Sequence, residues 1–108
     1  MSHLKALDDQ DFASFAQREG AVLVDFHASW CGPCKALAPT LEALGRDYAE
    51  RLPIGKLDID QAPATAARMG IRSVPTLILF RDGRPLDRLS GVRSGAELQH
   101  WIDSTLAA

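Results

Sequence analysis

The chain has 108 residues, of which 46% are hydrophobic and 24% charged, with a net charge of -2 and a pI near 5.8. The length fits a single domain over residues 1–108, and the composition is ordinary for a globular protein. No apolar run reaches the roughly 20 residues that cross a bilayer, so we expect no membrane role. Lys and Arg are scattered rather than gathered on a basic face, so we also expect no nucleic-acid binding.

The N-terminus, Met1 to Lys5, lacks the charged segment and apolar stretch of a secretory signal, which favours the cytoplasm. Thiols stay reduced there, and two cysteines in a CxxC spacing are more often catalytic or metal-binding than structural. A disulfide across so short a loop would stabilise a fold by only about 2 kcal/mol, against about 5 kcal/mol for a loop of about 100 residues. The only two cysteines, Cys31 and Cys34, therefore indicate chemistry.

Hydrophobic periodicity predicts alternating strands and helices over the first 70 residues. A short strand over 3–7 precedes a helix capped by Asp8 or Asp9, and the strand 21–26 leads to Cys31. After Cys34 an apolar stripe predicts a helix, in which Pro39 should introduce a kink. Its apolar residues are Leu37, Leu41, Leu44 and Tyr48. A strand over 54–59 and a short helix over 62–69 follow.

The last third of the chain predicts a hairpin and a final helix. The predicted strand 76–80 is followed by a turn at Asp82-Gly83, a pair that tolerates positive φ. A second strand over 86–90 then runs back antiparallel to the first. Ser94 and Glu97 match a capping box at the start of the last helix. Its apolar face consists of Leu98, Trp101, Ile102, Thr105 and Leu106.

The stretch Trp30-Cys31-Gly32-Pro33-Cys34-Lys35 therefore lies between a buried strand and a helix. The free N–H groups and the dipole of a first helical turn favour a thiolate on Cys31, and Cys34 is close enough to resolve a mixed disulfide. Pro33 fits the start of a helix, where its missing N–H costs nothing. The pattern favours thiol–disulfide exchange, with Cys31 as the accessible nucleophile and Cys34 held behind it.

Metal binding is the main alternative use of the two cysteines. A structural zinc needs four ligands, and His3, His27 and His100 do not form a second ligand pair by spacing. We therefore expect no metal within the chain. Zinc or an iron–sulfur cluster shared between two chains stays open.

The motif and its surroundings resemble the thioredoxin family. The resemblance covers most of the chain, through Val24-Asp25-Phe26 and the cysteine motif, residues 56–60, residues 70–76 and residues 80–83. It implies an α/β thioredoxin fold, with a five-stranded mixed sheet flanked by four helices. It also implies a protein-disulfide reductase and electron carrier that acts as a monomer, is recharged by an NADPH-dependent thioredoxin reductase, and needs no cofactor beyond the Cys31–Cys34 disulfide.

The resemblance gives roles to residues far from the motif. Asp25, a carboxyl group in an apolar strand, would be the buried acid that exchanges a proton with Cys34, and Lys56 its ionic neighbour. Pro75 would be cis and face Cys31, leaving the backbone of Val74 to pair with an extended client segment. The client-contact patch would consist of Trp30, Gly32, Pro33, Val74, Pro75, Gly91 and Val92.

Two positions depart from the family pattern. His27 stands where the family usually has tryptophan, and Ser29 where an acidic residue is common. His27 is either a polar packing substitute or a titratable group that tunes the thiolate near neutral pH.

Two other functions remain open at the level of sequence. Within redox chemistry the chain could be an oxidase or isomerase, although Gly-Pro between the cysteines resembles the reducing branch of the family. Outside it, the same surface could serve a binding module or assembly subunit without redox turnover.

Overall fold

The computed structural model describes residues 2–108. Five strands and four α-helices follow one another along the chain: β1 (Lys5–Leu7), α1 (Phe12–Ala16), β2 (Ala21–His27), α2 (Gly32–Tyr48), β3 (Ile54–Asp58), α3 (Pro63–Arg68), β4 (Thr76–Arg81), β5 (Arg84–Ser90) and α4 (Gly95–Ala107). A 3₁₀ turn over Ala49–Arg51 follows α2. Within the described residues, no helix combines the length and the apolar character needed to cross a bilayer.

The strands form one mixed sheet in the order β1-β3-β2-β4-β5. The strands β1, β3 and β2 run parallel, whereas β4 and β5 are antiparallel to their neighbours. This confirms the mixed five-stranded sheet with four helices. The antiparallel hairpin turns at Asp82 and Gly83, whose φ values of 52° and 84° are those of a tight two-residue turn.

Side chains that alternate along β2 divide the core between the two faces of the sheet. Val22, Val24 and Phe26 pack on the side that also carries Phe12 and Phe15 of α1. The opposite face carries Leu23 and the buried stripes of α2 and α4. Because strand residues alternate, Asp25 and His27 share the face of Leu23, beneath α2.

The long helix α2 and the final helix α4 follow the predicted stripes. Leu37, Leu41, Leu44 and Tyr48 are all buried on α2, and the helix continues past Pro39. The predicted capping box of α4 is confirmed, since the Ser94 hydroxyl accepts the Glu97 N–H and the Glu97 carboxylate accepts the Ser94 N–H. On α4, Leu98 and Ile102 are fully buried, whereas Trp101 is half-buried and donates its indole N–H to Asp87.

The start of α1 differs from the prediction. Asp8 caps only the turn that leads into α1, because its Oδ1 accepts the N–H groups of Gln10 and Asp11 at 2.8 and 3.0 Å. The regular helix begins at Phe12, where the preceding Asp11 makes no side-chain cap. Asp9 instead accepts the hydroxyl and the N–H of Thr65 on α3. Helix packing, which a local pattern does not reveal, decides between the two acids.

Candidate active site

The two cysteines form a disulfide at the junction of β2 and α2, with their Cα atoms 5.3 Å apart. Cys31, Cys34 and Ala28 form a small apolar cluster, against which Ile59 and Val74 pack. The pair therefore lies at the carboxyl ends of the strands, where an α/β sheet collects helix N-termini.

The two cysteines differ in hydrogen bonding rather than in exposure. Cys31 is the N-cap of α2, and its Sγ accepts the backbone N–H of Cys34 at 3.1 Å. A donor of the first turn therefore points at the sulfur of Cys31, which favours negative charge there. The expected difference in accessibility is wrong for this disulfide form, because Cys31 is 4% exposed and Cys34 7%. In this form both cysteines belong to the same buried cluster.

Val74, which precedes Pro75, packs against the disulfide. The peptide bond between them is cis, and the carbonyl oxygen of Val74 is 3.7 Å from Cys31 Sγ. The carbonyl oxygen of Pro75 accepts the N–H of Gly91, which joins the start of β4 to the loop after β5. Pro75 itself is buried.

The residues expected to contact clients lie around this point. Trp30 and Val92 are 66% and 49% exposed, Gly32 and Pro33 are exposed, and Val74 and Gly91 are half-buried. The residue that sequence reasoning missed is Asp60, whose Oδ2 accepts the Trp30 indole N–H at 2.8 Å. Asp60 follows β3, the parallel neighbour of β2, and this adjacency of strand ends is the signal that could have found it.

Asp25 is a buried acid without a close partner. It is 6% exposed, and its Oδ1 has no hydrogen-bond partner among residues 2–108. Burial raises the pKa of Asp25 from 3.8 to about 7, and the positive charge of Lys56 offsets part of that rise. Lys56 pairs with Asp25 across β2 and β3, yet the two form no salt bridge in the part of the chain that the structure describes. Lys56 thus acts on Asp25 through its charge at a distance.

A cavity of about 460 Å³ connects these groups beneath α2. Its lining includes Asp25, Cys34 and Lys56, together with His27 and Ser29, the two departures from the family pattern. His27 is half-buried there. Over residues 2–108, no group of three or more His, Cys, Asp or Glu residues could hold a metal ion.

Comparison with known proteins agrees with this arrangement. The family model Thioredoxin matches residues 3–104. Curated thioredoxins from Staphylococcus aureus strains Mu50, MW2 and N315 are each 47% identical to the chain over 98 residues, covering 91% of this chain and 93% of theirs. With its disulfide at the start of α2 and this similarity along nearly its whole length, the chain belongs to the thioredoxin family of thiol–disulfide oxidoreductases.

Proposed function

We propose that the chain reduces disulfides of client proteins and is itself recharged by an NADPH-dependent thioredoxin reductase. The observation that carries the proposal is the Cys31–Cys34 disulfide at the N-terminus of α2, beside exposed apolar side chains. Such a pair carries two electrons in its dithiol form and gives them to a client disulfide when its own disulfide forms. No further cofactor is needed for this cycle.

Catalysis begins with the reduced form, in which the Cys31 thiolate attacks one sulfur of the client disulfide. The new bond joins Cys31 Sγ to that sulfur, and the other client sulfur leaves with the electron pair. The N–H of Cys34, which points at Cys31 Sγ, stabilises the negative charge before the attack. Cys31 is therefore the nucleophile.

Cys34 completes the reaction by attacking Cys31 Sγ. Its thiol first gives a proton to Asp25, the bond between Cys31 Sγ and the client sulfur that it attacked breaks, and that client sulfur leaves as a thiolate that takes a proton from water. A pKa near 7 suits a group that must both accept and release a proton at neutral pH. Lys56 limits the rise of that pKa by its charge, which keeps part of the Asp25 population ionised and able to accept the proton.

Clients would bind as an extended segment along the cis Val74-Pro75 peptide. Trp30, the largest exposed apolar side chain near the disulfide, would supply much of the contact energy. The rest of the patch consists of Gly32, Pro33, Val74, Pro75, Gly91 and Val92. An apolar surface with little shape of its own can accept many client sequences, because backbone hydrogen bonds supply affinity without reading side chains.

We further propose that the chain works as a monomer in the cytoplasm. Every residue in the steps above belongs to a single chain, so no second copy is required to complete the site. The cycle must start from the dithiol, and a compartment that keeps thiols reduced maintains that form.

The decisive assay follows insulin reduction with NADPH and thioredoxin reductase. We expect turnover by the wild type, none by Cys31→Ser, and trapped mixed disulfides with Cys34→Ser. A wild-type protein that the reductase does not recharge, or that cannot cleave insulin, would overturn the proposal. The exposed patch also fits a binding module without turnover, and full complementation of a deletion strain by the Cys31→Ser/Cys34→Ser double variant would establish that alternative.

A further inference from the structure

Asp25 and His27 are the two titratable residues of β2, and both line the cavity under α2. They are two residues apart on one strand, so both side chains emerge on the same face. Cys34, whose proton must move during the second step, lines the same cavity. The cavity thus places the thiol, the buried acid and an imidazole around one space of about 460 Å³.

The buried carboxyl group needs a route to solvent. Asp25 must gain and lose a proton in each cycle, yet it is only 6% exposed and its Oδ1 has no partner among the described residues. His27 lines the same cavity and is only half-buried, so part of the residue is accessible to solvent. A space of this size with several polar walls can hold water molecules, each of which fills about 30 Å³ in the liquid.

Burial, more than the charges around it, holds the pKa of His27 below its ordinary value. The strand β3 contributes Asp58 opposite His27 and Lys56 opposite Asp25, the helix α2 contributes Lys35 and Glu42 to the cavity, and β4 contributes only the apolar Leu77 opposite Asp25. Burial lowers the pKa of His27, the carboxylate of Asp58 opposes that shift, and Lys56 adds to it. A neutral imidazole accepts a hydrogen bond at one nitrogen and donates from the other.

We propose that His27 is the proton-exchange residue of this site, linking the carboxyl group of Asp25 to bulk solvent through water in the cavity. The inference rests on the proposed function, because it concerns the proton released by Cys34. His27 acts through Asp25 and touches neither sulfur nor client, so it is a positioning residue rather than a catalytic one.

The step is balanced without any further reactant. The Cys34 proton passes to Asp25 as Cys34 attacks Cys31 Sγ, and the client sulfur departs with the electron pair of the broken S–S bond. Cavity water then takes the proton from Asp25, while the ring of His27 accepts a proton on its inner nitrogen and releases one from its outer nitrogen. The departing thiolate receives a proton from bulk solvent.

Two rate measurements separate this role from a structural one. Attack by Cys31 is measured as mixed-disulfide formation in the Cys34→Ser background, and resolution is measured by rapid quench in proteins that retain Cys34. We expect His27→Gln to leave attack within twofold of wild type and to slow resolution about tenfold at pH 7, since positioned proton transfer contributes about 10²- to 10⁴-fold and water retains part of the route. His100→Gln, on exposed α4, should change neither rate.

Chemical rescue gives a readout that packing alone would not change. Imidazole added to His27→Ala should restore resolution several-fold, because the ring can enter the enlarged cavity, and should leave His100→Ala unaffected. Should the His27 variants unfold, the pH titration of the His27 ring by NMR serves in wild type and in Asp25→Asn. We expect the ring resonances of the wild type to show a transition near pH 7, where Asp25 ionises, and those of Asp25→Asn to lack it, since the two groups share one cavity.

The outcomes test the role of His27 separately from the proposed function. A wild-type protein that cannot reduce insulin would remove the function and the inference together. Normal insulin reduction with equal resolution rates in wild type and His27→Gln, or equal slowing of attack and resolution, would overturn the inference alone. A His27 titration indifferent to Asp25 would do the same.

Discussion

Asp25 lies among apolar neighbours on β2, and the burial that suits its carboxyl group to proton transfer lowers the stability of the fold. At low pH the carboxyl group is neutral in both the folded and the unfolded chain, so burial costs no charge. Between pH 3.8 and about 7 the unfolded chain ionises while the folded chain stays protonated, which favours unfolding progressively. Above about pH 7 the cost is complete, and a shift of this size corresponds to about 4 kcal/mol.

We therefore predict that Asp25→Asn stabilises the oxidised protein in a pH-dependent way. At pH 8 the free energy of unfolding should rise by about 3 kcal/mol, because the amide does not ionise but still leaves polar atoms buried. Near pH 4 the gain should be small. Urea unfolding at the two pH values measures it, and Glu50→Gln, at an exposed position, should show no such difference. Equal gains at both pH values would contradict the raised pKa of Asp25.

At the scale of elements, β3 passes so close to β1 and α1 that one position requires the absence of a side chain. A Cβ atom on Gly55 would lie 2.5 Å from Leu7 Cδ1 and 3.0 Å from Phe15 Cε2. Both neighbours are buried, so neither can move without disturbing the core on that face of the sheet. The glycine is what lets the central parallel strands lie against α1.

Gly55→Ala should accordingly destabilise the protein by about 2 kcal/mol through overpacking. Gly95→Ala is the matched control, because its added Cβ would meet only Thr40 Cγ2 at an ordinary 3.7 Å and would lie at the start of α4. Chemical denaturation of both variants against wild type makes the comparison. Equal stabilities for the two variants would show that the space around Gly55 can relax.

At the end of α2, in contrast to Gly55, an alanine occupies a position that favours glycine. Ala49 has φ of 50° and ψ of -125°, a conformation that a residue with a Cβ rarely adopts. We predict that Ala49→Gly stabilises the fold by about 1 kcal/mol, the relief of strain exceeding the added entropy of the unfolded chain. Ala43→Gly, inside α2, should instead destabilise by about 1 kcal/mol. Thermal unfolding of the two variants should therefore shift in opposite directions.

The elements also show which features a sequence can predict. Spacings of three and four residues identified α2 and α4, and Ser94 with Glu97 marked the start of α4, because these signals lie within a few residues of one another. The sequence does not show which of Asp8 and Asp9 caps the chain before α1, because the carboxylate of Asp9 accepts a hydrogen bond from Thr65 on α3, which is distant in sequence. The Trp30–Asp60 hydrogen bond and the cavity around His27 likewise depend on how β2, β3 and α2 come together in space.

At the scale of the whole molecule, the residues of the contact patch are uncharged, although the carboxylate of Asp60 accepts a hydrogen bond from Trp30. The chain carries a net charge of -2, yet the patch around the disulfide consists of aromatic, aliphatic, glycine and proline residues. Long-range attraction between charges speeds association and falls with added salt, whereas apolar contact is much less sensitive to moderate salt. Client selection by such a patch should therefore depend on backbone pairing and apolar area rather than on client charge.

The uncharged side chains of the patch predict a weak salt dependence of client reduction. Between about 0.05 and 0.5 M NaCl, kcat/KM for a disulfide-containing peptide should change less than about twofold, because salt at these concentrations screens charges beyond about 4 to 14 Å and the patch carries none. Placing a carboxylate there with Val92→Glu should accelerate reduction of a basic peptide at low salt and make that rate fall as salt is added. If the wild type already showed so steep a decline, charges outside the patch would be directing clients to the disulfide, and the apolar surface would serve only to hold them once they arrive.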